Sequence, residues 1–292
     1  MKISGFTIVK NGALMGYPFV ESIKSCLPVV DEMIVGVGKS EDNSRELVEA
    51  IGDPKIRIVD TVWDPSKTEG GRLLSEKTNE VLDLCQNDWC LYIQADEVLH
   101  EQDIAAIKQQ VERFANDPNV EGLHFSYAHF YGSFDTIATS RLWYRDEVRI
   151  VRKSSGARSR GDAQGFRIHA KRFMRSPERR LKTQPANGTV YHYGWVRPPQ
   201  TMAVKSKLFH RLWHGNERDA DFETFEYEHI YGLKKFTGAH PKVMHERVRS
   251  QNWNTAFSRP LLGCKLSEIR LWLSDVIEAV IGFQPWSHKN HD

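Results

Sequence analysis

Through roughly the first hundred residues, short β-rich runs alternate with stretches of helical apolar spacing, and that alternation restricts the chain to few architectures. Ile3 to Val9 reads as a strand. Phe19, Ile23, Cys26 and Leu27 follow at helical spacing and are closed by Pro28, after which Met33 to Val37 reads as a buried strand. Glu41-Asp42-Asn43-Ser44 supplies cap chemistry for a helix through Ile51, which Gly52-Asp53-Pro54 breaks before a strand at Ile56, Ile58 and Val59. Leu74, Thr78, Val81, Leu82 and Cys85 form one helical face, and Trp89 to Ile93 is a fourth apolar strand. Parallel strands need crossover connections, so repeated βα units predict an α/β fold with a mainly parallel sheet flanked by helices. Ligands of such sheets bind beyond the strand carboxyl ends. The segments to inspect are therefore Lys10 to Gly12, Gly36 to Asp42, Asp60 to Gly71 and Gln94 to Glu97.

With 292 residues, 40% hydrophobic and 27% charged, the chain has material for a full core, which excludes disordered, collagen-like and disulfide-framework classes. Its four cysteines, Cys26, Cys85, Cys90 and Cys264, show no C-x-x-C spacing and read as buried thiols. The opening MKISGFTIVKNG is interrupted before a secretory apolar region develops, so a cytoplasmic protein is expected. The formal charge of +2 is too small to point to a nucleic-acid partner. The charge is uneven, however: Arg141 to Lys182 holds 14 Lys/Arg against 4 Asp/Glu, leaving the remainder acidic. Aromatic residues for base stacking are sparse there, and no nucleic-acid partner is expected.

Beyond Gln102 the pattern predicts a helix to Phe114 and strands at Leu123 to Tyr131, Val148 to Arg152 and Phe166 to Phe173. From Gln200 onward the spacing is helical, with Val204, Leu208 and Leu212 on one face and Phe222, Phe225, Ile230 and Leu233 in a second segment. Residues 1–199 are expected to form the binding and catalytic domain and 200–292 a helical C-terminal appendage. Leu261 to Phe283 has a wide apolar face but also Lys265, Glu268, Arg270, Asp275 and Glu278, so it is no membrane span. Core packing or a homodimer contact is expected of it, with interfacial membrane docking as the other reading. His210 and His214 in HRLWH share a helical face, but no glutamate follows His210, so the pattern is not that of a metalloprotease.

The strongest constellation is Trp89-Cys-Leu-Tyr-Ile-Gln-Ala-Asp96-Glu97, an apolar strand that ends in two carboxylates. Oxygen ligands at a strand tip suit Mg²⁺ or Mn²⁺, which keep positions open for phosphate oxygens. The same pair also reads as acids placed before the helix that starts near Gln102.

In order and spacing, FTIVKNG, EMIVGVGKSEDNS, KTNEVLDL and DWCLYIQADEVL resemble the family 2-type glycosyltransferases with the nucleotide-sugar (GT-A) fold, and HYGWVR and KKFTGAHPKVM resemble patterns in bacterial members. The resemblance implies that Thr7, Val9 and Asn11 border the base and ribose. It puts Asp42 near the base or behind it as a cap, and turns Lys77 and Asn79 toward the nucleotide. Asp96 matches the last acid of the Asp-x-Asp metal motif, and His192 stands where a late histidine joins the metal or diphosphate. Gln94 replaces the first acid and could still bond ribose, and Val37 stands where many members have a base-reading aspartate. Asp162, on the glycine-flanked turn Arg160-Gly-Asp-Ala-Gln-Gly165, is the expected general base, with Glu97 as its rival on the acceptor side. Arg149, Arg152, Arg158 and Arg160 are expected to grip diphosphate or an anionic acceptor, or else to form a solvated face.

The activity so implied is transfer of a sugar from a nucleoside diphosphate sugar to a hydroxyl acceptor, with inversion. A surface polysaccharide or lipid-linked glycan is the implied acceptor, at the inner face of the membrane. Two other readings stay open. A sugar nucleotidyltransferase would carry a G-x-G-T-R-type loop after its first strand, which KNG does not supply. A non-catalytic sugar-nucleotide-binding module is the reading that Gln94 favours.

Overall fold

The computed structural model describes residues 1–64, 70–169, 178–214, 219–255 and 266–281. Its strands are β1 (Ile3–Val9), β2 (Glu32–Gly38), β3 (Ile56–Thr61), β4 (Trp89–Tyr92), β5 (Glu97–Leu99), β6 (Gly122–Tyr131), β7 (Thr136–Ala138), β8 (Asp146–Arg152), β9 (Ala157–Arg160), β10 (Gly165–His169), β11 (Glu178–Arg179), β12 (Thr183–Trp195) and β13 (Leu233–Lys235). The α-helices are α1 (Phe19–Cys26), α2 (Ser44–Glu49), α3 (Arg72–Asp83), α4 (Ile104–Arg113), α5 (Pro199–His214), α6 (His245–Arg249) and α7 (Leu266–Ile281).

The expected α/β architecture is present. Strands β3, β2, β1 and β4 run parallel in that order, and β8 and then β6 continue the sheet antiparallel to their neighbours. Strand β12 lies parallel to β6 and antiparallel to β5. Because strand side chains alternate, Ile3, Val9, Met33, Val35, Trp89 and Leu91 face one core, which they share with Phe19, Ile23 and Cys26 of α1. Phe6, Ile34, Cys90 and Tyr92 face a second core, completed by Val81 and Leu82 of α3. A third cluster, with Val98, Phe130, Tyr193 and Met244, closes the end of the sheet formed by β5, β6 and β12. The near-continuous apolar runs of the first strands thus reflect burial on both faces.

Three expectations change. Residues 223–230, predicted helical from the Phe222, Phe225 and Ile230 spacing, are not helical; they lead into β13, which pairs antiparallel with β7. Strand β12 went unpredicted because it carries Pro185 and Gly188, and a break in register between Pro185 and Thr189 interrupts its alternation. In α7, Leu271 and Ser274 are buried, whereas Ile269, Trp272, Leu273 and Val276 form an exposed apolar stripe rather than core. Residues 261–265 and 282–283 of that stretch, Cys264 and the far end of the Phe166 to Phe173 strand lie outside the described residues. Among the described residues, no helix is long and apolar enough to cross a membrane.

Candidate functional site

Asp96 follows the tip of β4, and its backbone carbonyl accepts from the Tyr193 amide at 2.8 Å. That bond brings β12 alongside, and His192 Nε2 lies 3.7 Å from Asp96 Oδ2. The two side chains retain 12% and 13% exposure, enough to meet a ligand. Gly194 makes the approach possible, since a Cβ there would sit 2.5 Å from His192 Nε2 and 2.8 Å from Asp96 Oδ2. Gly194 therefore acts by lacking a side chain within a strand, not through the tight turn that the sequence suggested.

Two cations that sequence reading passed over complete this centre. Lys205, from α5, places Nζ 3.9 Å from Asp96 Oδ2 and donates to the Gly194 carbonyl. Arg197 is enclosed, donates to the Tyr193 and Gly194 carbonyls at 3.3 and 2.9 Å, and stacks on Tyr17 at 4.8 Å. Burial by itself would push the Asp96 carboxyl up. His192, Lys205 and Arg197 outweigh it and hold that carboxyl well below the usual carboxylate range. Burial and the neighbouring Arg197 pull the Lys205 ammonium down to about 7, against the opposing pull of Asp96.

Glu97 goes elsewhere. Its carboxylate is fully enclosed and held by Arg149 at 2.8 Å (Nε) and 2.7 Å (Nη2), by the Tyr127 hydroxyl at 2.7 Å and by the Gln94 amide at 3.1 Å. This gives Glu97 a structural part in place of the expected acceptor-side role. Nor does it begin the following helix, whose first turn is capped by His100 Nδ1 accepting from the Gln102 amide at 3.2 Å.

The four arginines expected to grip phosphate are each engaged elsewhere. Arg149 holds Glu97, and Arg152 donates to the Phe114 carbonyl at 2.8 Å while stacking on Trp89. Arg158 pairs with Asp83 at 2.7 Å and Arg160 with Glu178 at 3.1 Å. Three of the four are thus paired with acids, Glu97 and Asp83 from outside the basic strip and Glu178 from within it.

Of the expected nucleotide contacts, Thr7 and Val9 belong to the enclosed side of β1, and the Thr7 hydroxyl is buried without a hydrogen-bond partner. Asn11, at φ 52°, donates its amide to Ser40 Oγ at 3.0 Å and accepts from the Glu41 amide at 2.8 Å. Asp42 accepts from the amides of Leu14 at 2.7 Å and Ser44 at 3.0 Å. Asn11 and Asp42 together tie the loops after β1 and β2 into one rim. Lys77 pairs with Glu80 at 2.6 Å, and Asn79 exchanges bonds of 2.9 and 2.8 Å with the backbone of Ser159, so both serve the α3 surface rather than facing a nucleotide as expected. Trp63 was not singled out from sequence. It sits beyond β3, within 5.3 Å of Lys10 Nζ and against Gly38, where a Cβ would fall 2.6 Å from its indole nitrogen.

Gln94 donates to the Ala163 carbonyl at 3.0 Å and so brings the turn that carries Asp162 to the β4 tip. Asp162 Oδ1 accepts from the Gln164 amide at 3.3 Å, across Ala163 at φ 62°. His210 packs on the Phe222 ring at 4.8 Å; the His214 side chain lies outside the described residues.

Among the described residues, no group of three or more His, Cys, Asp and Glu side chains is arranged to hold a metal. Asp96 and His192 nevertheless suit an ion that takes its remaining ligands from a diphosphate and water, because one donor is an ionised carboxylate and the other an imidazole nitrogen beside it.

No protein-family model and no curated protein matches this sequence. Among solved structures, the chain is similar to glucosyl-3-phosphoglycerate synthase from Mycobacterium tuberculosis in complex with Mn²⁺, UDP and phosphoglyceric acid, at 18% identity and a TM-score of 0.31. That match spans 44% of this chain and 43% of the other, less than half of either. It is also similar to S. aureus TarS 1–349, at 10% identity over 76% of this chain and 68% of that one, with a TM-score of 0.40. The TarS 1–349 complex with UDP gives 12% identity and a TM-score of 0.38 over the same shares.

Proposed function

We propose that this chain is a glycosyltransferase that moves a sugar from a nucleoside diphosphate sugar to a hydroxyl acceptor with inversion. The observation that carries the reading is the meeting of Asp96 and His192 at the carboxyl edge of the parallel strands, with Lys205 and Arg197 behind them. That edge is where α/β sheets of this kind bind ligands. Its concentration of positive groups around one ionised acid suits a leaving diphosphate, the group on which negative charge develops.

In this reading, Asp96 and His192 hold Mg²⁺ or Mn²⁺. A divalent ion so held supplies Lewis-acid neutralisation of the departing diphosphate. Lys205 adds a positive charge beside Asp96, and Arg197 braces the β12 carbonyls that set the position of His192. The rim formed by Asn11 and Asp42, with Trp63 alongside, is assigned to the nucleoside. Asp162 is assigned as the base that takes the acceptor hydroxyl proton, on a turn tied to the donor side through Gln94. Residues 1–199 then supply the donor machinery, with Lys205 contributed by the 200–292 extension. A glycan or lipid-linked acceptor at the inner face of the membrane, in a cytoplasmic protein, is the setting assigned on the sequence resemblance.

The test is a panel of nucleotide sugars screened for donor hydrolysis, together with calorimetric titration of nucleoside diphosphates with and without Mn²⁺. Hydrolysis of one donor class and metal-enhanced binding are expected. Metal-indifferent binding with no donor hydrolysed would replace the enzyme with a sugar-nucleotide-binding module.

A further inference from the structure

Directly behind His192 lies a second histidine that no part of the proposed mechanism has used. His129, on β6, is the register partner of His192 on β12, and parallel pairing sets the two rings side by side with Nδ1 to Nδ1 at 3.0 Å. The other ring nitrogen of His129, Nε2, lies 2.7 Å from the Tyr144 carbonyl oxygen. Tyr127 stacks on the same ring at 5.3 Å, and Tyr144 packs edge-on at 4.6 Å, so the ring has little freedom to turn.

Hydrogen placement follows from these contacts. A carbonyl oxygen only accepts, so His129 Nε2 carries the hydrogen. Between two Nδ1 atoms at 3.0 Å there is room for one hydrogen. His129 is 3% exposed and enclosed by the Tyr127 and Tyr144 rings, surroundings that do not solvate a cationic ring. His129 Nδ1 is therefore the acceptor, and the hydrogen between the rings belongs to His192 Nδ1. Nε2 of His192 is then the nitrogen that faces Asp96 across 3.7 Å: with its hydrogen it points a donor at that carboxylate, and on giving the hydrogen up it presents a lone pair there.

We infer that His129 is a positioning residue: through the relay from the Tyr144 carbonyl to His129 to His192, it fixes the tautomer and ring orientation that turn the His192 Nε2 lone pair toward Asp96. The inference rests on the proposed metal-binding role of Asp96 and His192. A buried acceptor on the far nitrogen is the usual device for orienting an imidazole ligand, and losing it typically weakens metal binding by about 10- to 100-fold.

Two measurements test this. Long-range ¹H–¹⁵N spectra of histidine-labelled, metal-free protein at pH 8, with signals assigned through His192→Ala and His129→Asn, should show His192 protonated on Nδ1 and His129 on Nε2. The opposite tautomer at His192 would overturn the relay whether or not the protein is an enzyme. The second measurement follows Mn²⁺ binding in the presence of UDP by the EPR signal of free Mn²⁺. His129→Leu should weaken binding by about 10- to 100-fold, and His129→Asn, whose side-chain oxygen can still accept from His192 Nδ1, should recover most of it. Equal Mn²⁺ affinity in wild type and His129→Leu would refute the positioning role. A wild type that binds no Mn²⁺ would remove the metal reading while the tautomer measurement still decides the relay.

Discussion

Arg149 grips Glu97 through two bonds, Nε to Oε2 at 2.8 Å and Nη2 to Oε1 at 2.7 Å, with both side chains sealed from solvent. The pair locks β8 to β5 immediately beside Asp96, and it also receives the Tyr127 hydroxyl, whose ring stacks on His129. Its consequence is stability. Removing one member of a buried pair leaves the other charge uncompensated, at about 3–5 kcal/mol. Arg149→Met should lower unfolding free energy by that amount in urea titrations, whereas Lys77→Ala, which breaks a pair at the surface of α3, should change it by less than about 1 kcal/mol. Equal small effects would show that the Glu97 network is not a keystone.

Asp96→Asn keeps shape and volume while it removes the charge that Lys205, His192 and Arg197 surround. Folding should be retained, with unchanged circular dichroism, and transfer should fall at least about 100-fold, the scale of losing one main electrostatic contact to a transition state. Near-normal turnover by Asp96→Asn would remove Asp96 from the chemistry.

Gly194→Ala tests the same centre by steric means alone. The new methyl would stand 2.5 Å from His192 Nε2 and 2.8 Å from Asp96 Oδ2, closer than packed atoms approach. The two side chains must separate to admit it. Mn²⁺-dependent UDP binding should weaken by at least about tenfold by calorimetry, with metal-free nucleotide binding little changed. Unaltered metal dependence would mean that the pair does not need its present spacing.

Cys26 supplies a pH test away from the site. Burial pushes its thiol up to about 12, only partly offset by the adjacent Ser25 hydroxyl. A group raised in the folded state adds stability that is fully present below its unfolded value, near 9, and is lost as pH climbs through the folded one. Between pH 9 and 11, Cys26→Ala should therefore flatten the loss of stability seen in wild type. At pH 8.5, iodoacetamide should leave the Cys26 peptide unmodified until the protein unfolds, as followed by mass spectrometry. Rapid native-state alkylation would contradict that burial.

The chain's local pattern was sufficient for β1 to β4, for the helices between them and for Asp96 at a strand tip, because periods of two and of about 3.6 are properties of neighbouring residues alone. His192 could be nominated by resemblance, and the fold brings it to Asp96. Local pattern could not separate Asp96 from Glu97, since the first ends the turn after β4 and the second begins β5, and only the approach of β8 shows that Arg149 meets Glu97. Nor could it find His129, Lys205 or Arg197. Each is ordinary in its own segment and gains meaning from contacts between segments far apart in the chain, set by strand register and by where α5 docks. Register is a long-range quantity: it depends on which strands pair and how far each has slid, and the break near Pro185 in β12 hides it from any periodicity. The sequence by itself therefore determined the layers and the edge to which ligand binding is assigned. The tertiary structure alone decided which charges meet there, because the energy of a charge pair is set by distance and burial rather than by order along the chain.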